Sequence, residues 1–118
     1  MFRVIIAGTR SFSDYKLLCE KCDYYFSRKK PDAIVCGEAR GADLLGRRYA
    51  EEHGIEVMSY PADWETFGRR AGYVRNLEMA RNAEALIAFW DGKSKGTENM
   101  ILAASEFGLQ TRVVRYDF

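Results

Sequence analysis

The sequence is poor in the residues that mark specialised classes of protein. Its 118 residues include 3 Cys, 2 Pro and 1 His, and 18 basic side chains nearly balance 17 acidic ones. The net charge of +1 creates no overall field that would draw the chain to nucleic acid or membranes. No apolar run approaches the roughly 20 residues that span a bilayer, and residues 1–7 are too few for a signal peptide. We therefore expect a cytoplasmic protein without a membrane segment.

The cysteines fit a reducing compartment and do not indicate a metal or redox site. Cys19 and Cys22 form a C-x-x-C, but they lie in the middle of a predicted helix rather than at its start, where a thiolate would be stabilised. Apolar residues around them recur every three or four positions, which places both cysteines on the buried face. No second C-x-x-C follows and His53 is the only histidine, so core packing is favoured over metal binding. We expect neither a metal nor a separate cofactor.

The order of apolar and polar segments predicts a single α/β domain over residues 1–118. The chain is 47% hydrophobic and 30% charged, which is ordinary for a globular protein. Strands are predicted at 2–7, 33–36, 55–60, 85–90 and 111–116, and helices at 14–28, 42–53, 73–82 and 97–107. Ser13 or Asp14 is the predicted N-cap of the first helix, and a polar, aromatic segment fills 62–72. Alternation of this kind favours a mainly parallel five-stranded sheet with helices on both faces, a three-layer fold.

The segment Gly37-Glu38-Ala39-Arg40-Gly41-Ala42-Asp43 connects a predicted buried strand to a predicted helix. The N-terminus of a helix presents free N–H groups and partial positive charge, and Arg40 adds a full positive charge. This combination attracts phosphate or another anion. One such turn is weak evidence, because every α/β protein has strand-to-helix turns.

Further glycine- and hydroxyl-bearing turns follow the other strands. The carboxyl ends of parallel strands meet at one edge of a sheet, so these turns are expected to lie together there. Neither a Walker loop nor a G-x-G-x-x-G fingerprint is present, which disfavours an ATPase or a dehydrogenase. The residues that we expect to bind the ligand at this edge are Gly8, Thr9, Arg10, Gly37, Arg40, Gly41, Asp43, Asp63, Trp64, Arg75, Asn76, Gly96 and Thr97.

Five short motifs in this order resemble the YspA-type branch of the SLOG superfamily. They span nearly the whole chain: Gly8-Thr9-Arg10 with Phe12, Gly37 to Asp43, Pro61 to Trp64, Gly72-x-x-Arg75-Asn76-x-x-Met79, and Ala88 to Gly92 with Gly96-Thr97. The resemblance implies a Rossmann-like fold that binds nucleotides or nucleotide-derived ligands. A sensing, sequestering or regulatory module for such a ligand is the leading interpretation.

Relatives of this family include the Lonely Guy phosphoribohydrolases, and this resemblance implies an enzymatic alternative. Their R-K-x-x-M motif is similar to Arg75-Asn76-Leu77-Glu78-Met79, which makes Arg75 a candidate catalytic residue for the cleavage of a nucleoside monophosphate. Their catalytic glutamate has a possible counterpart in Glu98, which here directly follows Thr97. A shift of one residue turns a helical side chain by about 100°. Glu98 is therefore either a catalytic acid or a residue that complements the helix dipole.

Two further expectations concern partners. The resemblance extends to the DNA-processing protein DprA, which binds single-stranded DNA, but a single-strand groove needs an extended basic track. The near-neutral charge makes nucleic acid the weaker alternative. Because relatives in the superfamily commonly assemble, a homo-oligomer is plausible.

Overall fold

Five parallel strands form the centre of the molecule, as the sequence predicts. The computed structural model describes residues 1–116. The strand order is β3-β2-β1-β4-β5, and every neighbouring pair is parallel. Short apolar and β-branched runs form these strands, and β2 is buried at all four positions. The strands are β1 Arg3–Gly8, β2 Ala33–Cys36, β3 Glu56–Ser59, β4 Ala85–Trp90 and β5 Gln110–Arg115.

Successive residues of β1 alternate between two helical layers, as the pleat of a strand requires. Val4 and Ile6 pack with the first two helices, whereas Ile5 and Ala7 pack with the last two. The predicted three-layer α/β architecture is therefore confirmed. The helices are α1 Tyr15–Tyr25, α2 Ala42–Glu52, α3 Trp64–Phe67, α4 Ala71–Arg81 and α5 Lys95–Glu106, with a 3-10 turn at Gly68–Arg70. None of these helices is both long and apolar enough to cross a membrane.

The predicted end of α1 at Arg28 is wrong, because the helix ends at Tyr25 with Phe26 as its C-cap. The like charges of residues 28–30 and the approach to Pro31 do not favour continuation of the helix. Its start is set by Asp14, whose carboxylate accepts the N–H of Leu17 at 3.0 Å. Neither α3 nor the 3-10 turn was predicted, because residues 62–72 are polar and show no hydrophobic periodicity.

The C-x-x-C of α1 belongs to the core, as predicted. Cys22 is fully buried, Cys19 is partly buried against the same cluster, and both thiols are free. Burial raises the pKa of Cys22, which disfavours the reactive thiolate. In the described part of the chain, no group of three or more His, Cys, Asp or Glu residues is placed to hold a metal ion.

The strand order creates a crevice above β1 and β4. From β1 the chain continues through α1 to β2 and β3 on one side, and then crosses to β4 and β5 on the other. Helices that follow β1 and β4 therefore lie on opposite faces of the sheet. In open α/β sheets, ligands bind where the strand order reverses in this way.

Gly46 has no side chain and so lets α2 lie close to Ile6 of β1. A Cβ at this position would come within 2.6 Å of Cγ2 of Ile6. We expect Gly46→Ala to lower the free energy of unfolding by about 1–3 kcal/mol through overpacking, despite the better helix propensity of alanine. Urea denaturation measures the difference.

Gly96 provides the matched control, because it also lies in a helix but a Cβ there would meet nothing within 4 Å. Gly96→Ala should leave stability unchanged or slightly higher. An unchanged free energy of unfolding for Gly46→Ala would contradict the close packing of α2 against β1.

Candidate functional site

The turn after β1 and the turn before α2 are joined by their backbones. The carbonyl of Thr9 accepts the N–H of Phe12 at 3.1 Å and the N–H of Ala42 at 3.4 Å. Gly41 has a φ of 82°, and a Cβ there would strike the carbonyl groups of Thr9 and Arg10. Only glycine fits this close approach.

The turn after β4 is held against the same place. Oγ1 of Thr9 accepts the N–H of Asp91 at 3.2 Å. The carboxylate of Asp91 in turn accepts the N–H groups of Lys93 and Ser94, each at 2.8 Å. Three turns that are distant in the sequence therefore meet at one edge of the sheet.

A first cavity of about 240 Å³ opens between these turns and α4. Its wall combines residues from the three turns with aromatic and apolar side chains from α3, α4 and α5. The lining consists of Ala7, Gly8, Arg10, Ala39, Asp43, Trp64, Arg69, Gly72, Tyr73, Arg75, Asn76, Met79, Ser94, Gly96, Thr97 and Met100.

A second cavity of about 370 Å³ lies beside the first. It extends over the strand-to-helix turn after β2 and the segment after β3. The two cavities share part of their wall, so one ligand can occupy both. The shared residues are Arg10, Ala39, Trp64 and Arg75, and the second cavity adds Gly37, Glu38, Arg40, Pro61 and Ala62.

Arg75 is held by the turn after β2 and by the next residue of α4. It donates to the carbonyl of Gly37 through Nη1, and its Nε donates to Oδ1 of Asn76 at 3.0 Å. Asn76 donates through Nδ2 to Oδ1 of Asn99 at 2.9 Å, which connects α4 to α5. This network orients the guanidinium in advance of any ligand.

Asp43, in the first turn of α2, is the buried acid of the site, with a relative exposure of 4%. Its Oδ2 accepts the N–H of Ala39 at 3.2 Å, and the N–H of Gly8 also stabilises the carboxylate. Burial raises the pKa of Asp43 to about 6, while the positive charge of Arg75 acts in the opposite direction. At Gly37 a Cβ would lie 2.6 Å from Oδ2 of Asp43, so this glycine leaves room for the carboxylate.

Two arginines of the site, Arg10 and Arg40, have no acidic partner among the described residues. Burial lowers the pKa of Arg75, and the charge of Arg10 lowers it further against the influence of Asp43. Arg10 and Arg40 are exposed, and within residues 1–116 neither side chain has an ion-pair or hydrogen-bond partner. A ligand with negative charge would relieve this imbalance.

Comparison with known proteins identifies the family. The profile of the YspA, cpYpsA-related SLOG family matches residues 2–67, more than half of the chain. This chain belongs to that family. It is also similar to the Gene 61 protein of Mycobacterium phage D29, with 34% identity over 116 residues that cover 92% of this chain and 93% of that protein. No solved structure gave a significant match.

Most of the predicted ligand-binding residues of this SLOG domain line one of the two cavities. The first cavity includes eight of the thirteen: Gly8, Arg10, Asp43, Trp64, Arg75, Asn76, Gly96 and Thr97. The second adds Gly37 and Arg40. SLOG membership indicates a nucleotide-related ligand.

Four predicted residues lie outside the lining of both cavities. Thr9 and Gly41 join the turns, as described above. Asp63 caps α3 by accepting the N–H of Thr66 at 3.1 Å, and Glu98 is exposed in the first turn of α5.

Sequence reasoning did not single out several lining residues. Tyr73 lies in the first turn of α4, two positions before Arg75. It lines the first cavity, as does Ser94 from the turn after β4. Tyr73 lies one helical turn before Asn76, which was expected in the site, and this i,i+3 spacing is a signal that could have located it. Glu38 also lines the second cavity, and the sequence carries no signal of its positive φ.

The raised pKa of Asp43 predicts a pH dependence of stability. The folded protein holds the proton more tightly than the unfolded chain, whose Asp pKa is near 3.8. This contribution is complete below that value and is lost as the pH rises through about 6. Asp43 should therefore remove about 1 kcal/mol of unfolding free energy between pH 5 and pH 7. Urea denaturation at both pH values should show this component in the wild type but not in Asp43→Asn.

Glu65→Gln is the control, because this exposed acid of α3 should leave the pH dependence unchanged. An NMR titration of the Asp43 carboxyl group gives a second readout, with a midpoint expected near 6. Identical pH dependences in the wild type and Asp43→Asn would contradict the assignment.

Proposed function

We propose that this SLOG domain binds a phosphate-containing, nucleotide-derived ligand in the two joined cavities and serves as a sensing, sequestering or regulatory module. The observation that carries the proposal is the convergence of Arg10, Arg40 and Arg75 on the second cavity. Guanidinium groups bind phosphate bidentately, and each charge-assisted hydrogen bond contributes about 1.5–3 kcal/mol.

The arginines, rather than the glycine turns, are the expected phosphate ligands. The carboxylate of Asp43 already accepts the N–H of Ala39 at 3.2 Å. Ser94 similarly uses its Oγ to accept the N–H of Thr97 at 3.4 Å. A phosphate would have to displace these internal acceptors to reach the backbone, whereas Arg10 and Arg40 are open to it.

Aromatic side chains supply a surface for the base. Trp64 is 53% exposed and Tyr73 is 47% exposed, although both are large and partly apolar. They line the first cavity with Met79 and Met100, which gives an apolar wall beside the cationic region. Exposed rings in such a position favour stacking against a base.

Binding without cleavage fits the position of the acids better than an N-glycosidase reaction through Glu98. A general acid must lie within hydrogen-bond reach of the reacting group, and Glu98 is exposed outside both linings. If an acid acts at this site, Asp43 fits that role better, because it lines the first cavity and has a pKa of about 6.

Substitution of the arginines tests the ligand site. We expect Arg10→Ala and Arg75→Met each to weaken binding of nucleoside monophosphates or ADP-ribose about tenfold or more, because each removes a charge-assisted contact. Isothermal titration calorimetry gives the affinities. Arg112→Ala is the control, since this β5 side chain is exposed, donates to the neighbouring carbonyl of Thr111 and lines neither cavity. Unchanged affinity in both test variants would overturn the placement.

The fate of the ligand separates a binder from an enzyme. After incubation with each of the four nucleoside monophosphates, chromatography should recover the nucleotide intact. Thermal stability should rise with nucleotide concentration, as expected for a ligand that binds only the folded state. Free base that accumulates with the wild type but not with Asp43→Asn would instead establish hydrolysis.

A further inference from the structure

Glu38 has a backbone conformation that glutamate rarely adopts. Its φ is 64°, and it is the non-glycine residue with positive φ among residues 1–116. This left-handed conformation is unfavourable for a residue with a long side chain and persists only where the surroundings impose it. Glycines stand at positions 37 and 41 of the same turn, so a glycine at position 38 would have been the unstrained choice.

Two contacts hold Glu38 in this conformation. Its N–H donates to Sγ of Cys36 at 3.4 Å, and its Oε2 accepts Nη1 of Arg47 at 2.7 Å. Arg47 lies on α2 and also approaches Glu51 at 3.8 Å. The side chain of Glu38 is only 23% exposed, but its Oε1 has no hydrogen-bond partner within the described residues.

The carboxylate of Glu38 lies among the positively charged side chains of the site. Glu38 lines the second cavity, where the other charged side chains are Arg10, Arg40 and Arg75. A carboxylate is unsuited to phosphate, but it accepts hydrogen bonds from hydroxyl groups through both oxygens. A cavity that presents guanidiniums beside one oriented carboxylate is complementary to a group that carries phosphate and hydroxyls together.

We propose that Glu38 accepts hydrogen bonds from the ribose hydroxyls of the ligand and makes the site selective for ribonucleotides over 2′-deoxyribonucleotides. Arg47 is the positioning residue that orients the carboxylate. The backbone strain at Glu38 is then retained because the side chain is needed at this point of the cavity. This inference rests on the proposed nucleotide binding and deepens it by naming the sugar.

The experiment compares ribonucleoside and 2′-deoxyribonucleoside monophosphates by calorimetry. The wild type should bind the ribo form about tenfold more tightly, because the deoxy form leaves a carboxylate oxygen without a partner. Glu38→Gly should lose this preference through weaker binding of the ribo form. Its melting temperature should rise, because glycine removes the strain at the positive φ.

Two further variants sharpen the test. Glu38→Gln keeps one carbonyl acceptor and should keep an intermediate preference. Glu51→Gln is the matched control, because it alters the other acid beside Arg47 on the exposed side of α2 and should leave the preference unchanged.

The outcomes separate this inference from the proposed function. If the wild type binds ribo and deoxy forms equally, or if Glu38→Gly keeps the preference, the role of Glu38 is wrong while nucleotide binding stands. If the wild type binds neither form of any nucleotide, the proposed function and this inference both fail.

Discussion

The buried carboxylate of Asp43 is the constraint on which the site depends. It lies in the first turn of α2, accepts the N–H of Ala39, and interacts favourably with the charge of Arg75. Burial of a charge is costly unless hydrogen bonds and opposite charge compensate it, and the raised pKa shows that compensation is incomplete. The absence of a side chain at Gly37 is a consequence, because the space next to it is taken by Asp43 and Arg75.

The same constraint determines how an anion can bind. In many nucleotide-binding folds a glycine turn and a helix N-terminus cradle phosphate with backbone N–H groups. Here the carboxylate of Asp43 accepts the N–H of Ala39, so a negatively charged group of the protein itself is already bound at this turn. The remaining positive charge of the site is carried by Arg10 and Arg40, which are exposed, and by Arg75, whose charge is repelled by that of Arg10.

Much of the fold could be predicted because its signals are local. Short β-branched runs such as residues 33–36 alternate with amphipathic helices, and only parallel pairing suits that alternation. Boundaries that depend on capping were less accurate: with Ser94 as its N-cap, α5 begins at Lys95, two residues before the predicted start at Thr97. The helix at Trp64–Phe67 was missed because it contains only four residues and none of them is buried. Such an element depends on its cap at Asp63 rather than on hydrophobic periodicity.

The sequence was sufficient to predict that the candidate site lies at the carboxyl ends of the strands, but not which contacts each residue makes there. Rules about parallel sheets bring Arg10, Arg40 and Arg75 to one edge whatever their side chains contact. The roles of Gly41 and Glu38 depend on φ and on approaches of a few ångströms, which arise only once three distant turns have packed together. Glycine at position 41 avoids a steric conflict with the carbonyl groups of Thr9 and Arg10. Glutamate at position 38 instead has a positive φ, which is unfavourable for a residue with a side chain. Gly41 thus avoids backbone strain, whereas Glu38 retains a backbone conformation that glycine would adopt without strain.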